Sequence, residues 1–164
     1  MMKKVLIGAA ALLASASFAV AQTLPITLAV STTITPDVHA LAAVINMSGA
    51  GAARTFTLPA ATGTGFKYKF AVLAVNTSGY VIKVANATDT IDGGVLVQTD
   101  DAANAVIGIT AAGTDDTITM NGTTTGGVVI GDYVILTDVL TGQWAVEGMI
   151  TGSGVEATPF SATV

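Results

Sequence analysis

Phe66-Lys67-Tyr68-Lys69-Phe70-Ala71-Val72 sets Phe66, Tyr68, Phe70 and Val72 against Lys67, Lys69 and Ala71 with a period of two. A strand points successive side chains to opposite faces, so this pattern predicts a half-buried strand with its aromatics on the core side. The strand is taken over residues 66–76. Thr77-Ser78-Gly79 then separates it from a second β-branched run, 80–85, at hairpin-like spacing.

Working outward, the same reading predicts strands at 26–34, 54–58, 95–98, 105–110, 117–120, 128–130, 133–138 and 143–150. Pro59 stops one of them, and Asn121-Gly122 and Gly126-Gly127 punctuate as turns. Leu140-Thr141-Gly142 closes the last two long strands into a hairpin that leads into Trp144. One helix competes with an irregular strand: Thr35 as cap, Pro36 at the first helical position, Asp37 in the first turn, and Val38, Leu41, Ala42 and Ile45 on one face. The tail from about Gly152 to Val164 carries the weakest pattern.

The 164 residues are 51% hydrophobic and 10% charged, with no cysteine and a net charge of −5. Disordered tails are polar and charged, and phosphate-backbone binders are basic, so both classes are excluded. Thiol chemistry and disulfide staples are excluded by composition. The N-terminus has Lys3 and Lys4, then an apolar run, then Ala19-Val20-Ala21. That is the layout of a secretory signal peptide covering residues 1–21, cleaved before Gln22. The alternatives are a membrane anchor, for which the alanine-rich stretch is short, or a hydrophobic N-terminal arm. Removal leaves 143 residues with Arg54, Lys67, Lys69 and Lys83 against eleven acids, a net charge of −7. Thr, Val and Ile make up 53 of those 143 residues, side chains that fit a pleated surface better than a helix. The expected fold is all-β, an antiparallel β-sandwich or β-barrel, in a single domain over 22–164.

Candidate chemistry is thin. His39, the sole histidine, sits beside Asp37, but no Ser nucleophile stands in a G-x-S-x-G elbow; a surface or capping role is the plainer reading. Asp89, Asp92, Asp100, Asp101, Asp115 and Asp116 fall in predicted loops. They read as solvated turns or, less simply, as hard oxygen ligands for calcium without the EF-hand spacing. Trp144 and Glu147 are three apart on one strand and so point to opposite faces. Tyr68, Tyr80, Tyr133 and Trp144 could stack on a sugar or pack a core. Gly63-Thr64-Gly65 and Gly126-Gly127 do not match a phosphate loop. Asn46, Asn76, Asn86 and Asn121 head N-x-[ST] triplets, common by chance in a Thr-rich chain. No catalytic residue, cofactor or metal ligand is assigned. A β-chain so poor in charged gatekeepers hides its edges or uses them, which favours an assembly over a free monomer.

Arg54-Thr-Phe-Thr-Leu-Pro-Ala-Ala-Thr-Gly-Thr-Gly65, Val81-Ile-Lys-Val-Ala-Asn86, Asp116-Thr-Ile-Thr-Met-Asn-Gly-Thr-Thr-Thr-Gly-Gly127, Gly131-Asp-Tyr133, Gly142-Gln-Trp-Ala-Val146 and Glu156-Ala-Thr-Pro-Phe-Ser161 form an ordered set. It resembles stretches of small β-rich virion structural proteins of tailed bacteriophages, cyanophages among them. The resemblance implies a non-enzymatic protein that decorates the capsid or belongs to a head or tail fibre. Its partners would be copies of itself, a trimer or another symmetric oligomer, and major capsid or other virion proteins. Neither nucleic acid nor, once the signal is gone, a membrane is expected. The signal-like segment departs from that pattern and supports a second expectation: a secreted surface or filament subunit that adds a strand, residues 22–34, to a neighbour's sheet. A third is an extracellular carbohydrate-binding module.

Overall fold

Tyr68, Phe70 and Val72 are buried and Lys67 and Lys69 face outward in a computed structural model that describes residues 24–100 and 105–164. The signal-like segment 1–21 and Asp101 lie outside the described residues. Among the described residues twelve strands form two sheets. The seven-stranded sheet contains β1 (Ile26–Leu28), β3 (Ile45–Met47), β5 (Lys67–Val72), β7 (Thr90–Gln98), β8 (Val106–Thr110), β10 (Tyr133–Leu140) and β11 (Gln143–Thr151), in the order β1-β3-β5-β10-β11-β7-β8. The five-stranded sheet has the order β12-β9-β6-β4-β2. Its strands are β2 (Thr32–Thr33), β4 (Arg54–Thr57), β6 (Tyr80–Lys83), β9 (Thr117–Met120) and β12 (Phe160–Ser161).

The architecture is sandwich-like, all-β and open, but it is not the antiparallel one expected. Pairs β1–β3, β3–β5, β2–β4, β4–β6 and β7–β11 are parallel. The cause is the route of the chain. From β1 to β6 each strand is followed by one in the opposite sheet, so successive strands of one sheet run the same way. The first six strands therefore make three stacked arches. Partners lie 19 (Ile26 and Ile45), 25 (Ile45 and Phe70), 24 (Thr32 and Phe56) and 26 (Phe56 and Ile82) residues apart. Antiparallel β9 and β10 then close the stack against β6 and β5.

This route corrects several local expectations. The 66–76 and 80–85 runs are not a hairpin: β5 and β6 belong to different sheets, and the intervening loop is held by Asn76. Its side-chain amide donates to the carbonyls of Ala52 (2.9 Å) and Gly79 (3.1 Å), and its Oδ1 accepts from Ser78 N–H (3.0 Å). The run 26–34 splits into β1 and β2, one in each sheet. Thr35 does precede a helix with Pro36 at its start, but α1 (Pro36–His39) lasts one turn. Val38 and Leu41 are exposed and Ile45 is already in β3, so no apolar helical face forms. Residues 128–130 carry no strand, β7 begins at Thr90 rather than at 95, and the tail supplies β12. The Leu140-Thr141-Gly142 hairpin is formed, with Leu140 paired to Gln143 and Gly142 at φ +80°.

The core lies between the sheets. Phe56 packs on Phe70 of the opposite sheet, ring centroids 5.9 Å apart, and on Tyr80 at 6.2 Å; Tyr68 meets Trp144 at 5.8 Å. All five rings are fully buried, each contributing about 1.5–3 kcal/mol of apolar transfer. Gly93 lets β7 run beside β11: it sits at φ +110°, and a Cβ there would come within 2.3 Å of the Val146 carbonyl oxygen.

Candidate functional site

Asp89, Asp92 and Asp116 are not solvated turns, whereas Asp100 is exposed and Asp115 braces an exposed turn. Asp89 and Asp116 are buried. Asp89 accepts the Ala61 N–H at 2.8 Å. Asp116 accepts the N–H groups of Thr163 (2.8 Å) and Val164 (3.1 Å) and the Thr117 hydroxyl (2.7 Å), pinning the C-terminus. Asp92 lies within β7 and accepts the Gln143 side-chain amide. Asp115 accepts from Ala112 and Asp100 from Gly154. Among the described residues no three acidic or histidine side chains come together in a way that could hold a metal ion.

Two acids that sequence reasoning passed over do the most. Asp138 accepts the N–H groups of Thr62 (3.0 Å), Gly63 (2.7 Å) and Thr64 (3.0 Å) and the Thr64 hydroxyl (2.6 Å). The Thr62-Gly63-Thr64 segment is thus an anion cradle, filled by the chain's own carboxylate. Burial pushes the Asp138 carboxyl up, but the Thr64 hydroxyl and the N–H groups of Thr64, Gly63 and Thr62 outweigh it and leave it below the ordinary carboxylate range. Asp132 accepts from Gly127 (3.1 Å) and from both the N–H and hydroxyl of Thr151 (2.9 Å each). Asp138 was hidden inside a strand-like pattern, and Asp132 in the short gap between two of them. The one signal was a small-residue loop whose N–H groups needed an acceptor.

His39 is buried, and its Nδ1 accepts the Thr35 N–H at 3.0 Å across the single helical turn. It ties the helix to Thr35, the residue that precedes it, and does not lie on the surface. Trp144, Tyr68 and Tyr80 lie in the core, and the Tyr80 hydroxyl reaches the Ala74 carbonyl at 2.7 Å. Of the four candidate stacking residues only Tyr133 looks outward, with the Lys69 ammonium 4.4 Å from its ring centroid. Glu147 is exposed and faces away from Trp144, as their spacing requires. Asn121 and Asn86 spend their side-chain oxygens on local turns, and Asn46 is half-buried in β3.

The feature that could engage a partner is on the outside of the seven-stranded sheet. A trough of about 550 Å³ runs across β10, β11, β7 and β8. Register lines up Tyr133 with Met149, Met149 with Leu96, and Leu96 with Gly108. Gly94 and Gly108 put no side chain on this face, which deepens it, while Leu96 and Met149 stand about half exposed at 51% and 49%. The trough ends at β8, an edge strand reading Val106-Ile-Gly-Ile-Thr110 without a charge. Long apolar edges of this kind are templates for pairing.

Comparison of the chain with protein-family models, with curated proteins and with solved structures finds no match. No helix among the described residues is long and apolar enough to cross a membrane.

Proposed function

We propose that this chain is a non-enzymatic structural protein of a bacteriophage particle, decorating or stabilising the capsid surface as an oligomer. The observation that carries the reading is the uncharged edge strand β8 joined to the largely apolar trough of Leu96, Met149, Tyr133 and Ile135, which Glu147 also lines. Such a surface gains free energy when another chain covers it. The resembling blocks support the same reading, because most of them fall on strands and the turns that join them, and one of them, Gly131 to Tyr133, reaches the trough. Arg54 to Gly65 covers β4 and the loop held by Asp138, and Asp116 to Gly127 covers β9 and the turn held by Asn121.

A second reading, a secreted surface or filament subunit, is favoured by the signal-like residues 1–21. Strand addition would then use β8, since Ile26–Leu28 and Thr32–Thr33 of the expected donor segment are paired within their own chain. Mass spectrometry of sedimented particles from the native source separates the two. High copy number in a capsid fraction with Met1 or Met2 present supports the virion role. A start at Gln22 in the medium or on the cell surface, without capsid proteins, supports the secreted subunit and retires the first reading.

A further inference from the structure

We infer that β8 pairs with β8 of a second copy of this chain, antiparallel and about a two-fold axis through Gly108, joining two seven-stranded sheets into one. The inference rests on the reading of this chain as an assembling structural protein and names its contact.

The pairing of β8 with β7 decides which of its backbone groups are free. β8 pairs with β7 in an antiparallel ladder that sets Val97 opposite Ile107 and Val95 opposite Ile109. Thr99 donates to Ala105 and Ala111 donates to Gly93, each at 2.9 Å, just beyond the two ends of the strand. Antiparallel ladders use alternate residues, so 105, 107, 109 and 111 face β7. The N–H and C=O groups of Val106, Gly108 and Thr110 therefore point to the open side, where no described strand lies.

The occupant follows from the symmetry of the strand. Val106-Ile107-Gly108-Ile109-Thr110 reads the same in shape from either end, since Val and Thr are nearly isosteric. With Gly108 opposite its own copy, Val106 meets Thr110 at both ends, and these are the residues with free backbone groups. Each pair exchanges both of its bonds. Ile107 then faces Ile109 of the other copy in the closer, non-hydrogen-bonded sites on the inner side of the sheet. Ile107 is 38% exposed in the single chain, so the contact extends the core across the axis. On the outer side Gly108 leaves the trough open from one copy into the next. The strand carries no charge in a chain of net charge −5, so no like charges on the strand oppose each other across the axis. A self-complementary patch makes an isologous, closed contact.

Gly108 also provides the test. A Cβ at 108 meets nothing within 4 Å and the residue has no positive φ, so the single chain accepts side chains there. Gly108→Lys places two ammonium groups face to face across the axis, and association should weaken about 100-fold or more while the thermal melt of the fold stays in place. Gly108→Cys introduces the sole cysteine of the chain. The paired Cα atoms would sit about 5.5 Å apart, inside the disulfide range of roughly 4.4–6.8 Å, so mild oxidation should convert most of the chain to a covalent dimer. Thr110→Cys, displaced from its own copy by roughly 14 Å along the strand, should stay uncrosslinked.

The measurements are light scattering on the purified full chain and non-reducing gels. A dimer or an even-numbered assembly that Gly108→Lys breaks and Gly108→Cys locks supports the inference. A trimer, or any oligomer indifferent to Gly108→Lys, overturns it and leaves the assembly reading standing. A full chain that is monomeric, and after removal of residues 1–21 dimerises without responding to Gly108→Lys, overturns it. A monomer with and without that segment, absent from particle and surface fractions alike, overturns both readings.

Discussion

Replacing Asp138 by alanine should cost about 3–4 kcal/mol of stability. The carboxylate receives three backbone N–H groups and one hydroxyl at 2.6–3.0 Å from Thr62, Gly63 and Thr64. Hydrogen bonds to a charged group contribute about 1.5–3 kcal/mol each. The sum is not reached, because the loop is exposed and its N–H groups can turn to water once the carboxylate is gone. For a domain of this size 1 kcal/mol shifts Tm by about 3–4 °C, so the melt should move down by roughly 10–14 °C at neutral pH. Asp138→Asn should lose most of the same amount, since one amide nitrogen would confront N–H donors. The pH dependence has a definite sign. The carboxyl is held below its ordinary value when folded, so its stabilisation is complete above the unfolded pKa near 4 and is lost as pH falls through the lower, folded value. The gap in Tm between the native chain and Asp138→Ala should therefore close in strong acid. Calorimetric melts of both proteins from pH 7 down to about 2 would measure it. A gap under about 2 °C at pH 7, or one equally wide at every pH, would refute the cradle as a source of stability.

Three further outcomes are expected. Tyr80→Phe should destabilise by about 1–3 kcal/mol, because it strips a partner from the Ala74 and Met47 carbonyls; Tyr68→Phe should leave Tm unchanged or raise it, since that buried hydroxyl has no partner among the described residues. Denaturant melts of the two variants side by side give the contrast. Gly93→Ala should lower stability by several kcal/mol or prevent folding, because it combines a φ of +110° with a 2.3 Å approach to the Val146 carbonyl oxygen; soluble yield and circular dichroism report it. Phe160→Ala should cost about 3–5 kcal/mol, since Phe160 is buried and its strand pairs with β9; faster hydrogen exchange of β9 amides would mark the loss.

β5 was legible because its alternation, Lys67 out and Tyr68 in, follows from the pleat alone. The hairpin around Gly142 was legible because a left-handed position near strand ends needs glycine. What periodicity cannot carry is the identity of a neighbour. It says that Tyr68 and Ile82 each face a core, not that their strands lie in opposite sheets, and so the parallel pairs were missed. β3 was missed because Ile45-Asn-Met47 is too short to set a period. The Asp89 to Gly94 run misled for a different reason: acids and glycines that elsewhere open a turn here begin β7, with Gly93 serving the close passage of β11. The trough could not be foreseen either, because Leu96, Met149 and Tyr133 become neighbours only through register. Its uncharged border at β8 was plain in the sequence.

The three stacked arches also set how a fold of this kind can change length. An extra arch of about two dozen residues, inserted between β2 and β3, would widen both sheets by one strand at once while β1 and β2 stayed at the edges and every other rung kept its pairing. A single added strand could not do this, for it would leave the next strand in the wrong sheet and running the wrong way. Size in such a fold is therefore quantised: chains built on this plan should differ by whole arches at the β1–β2 end, while the half closed by β9 to β12 keeps its dimensions.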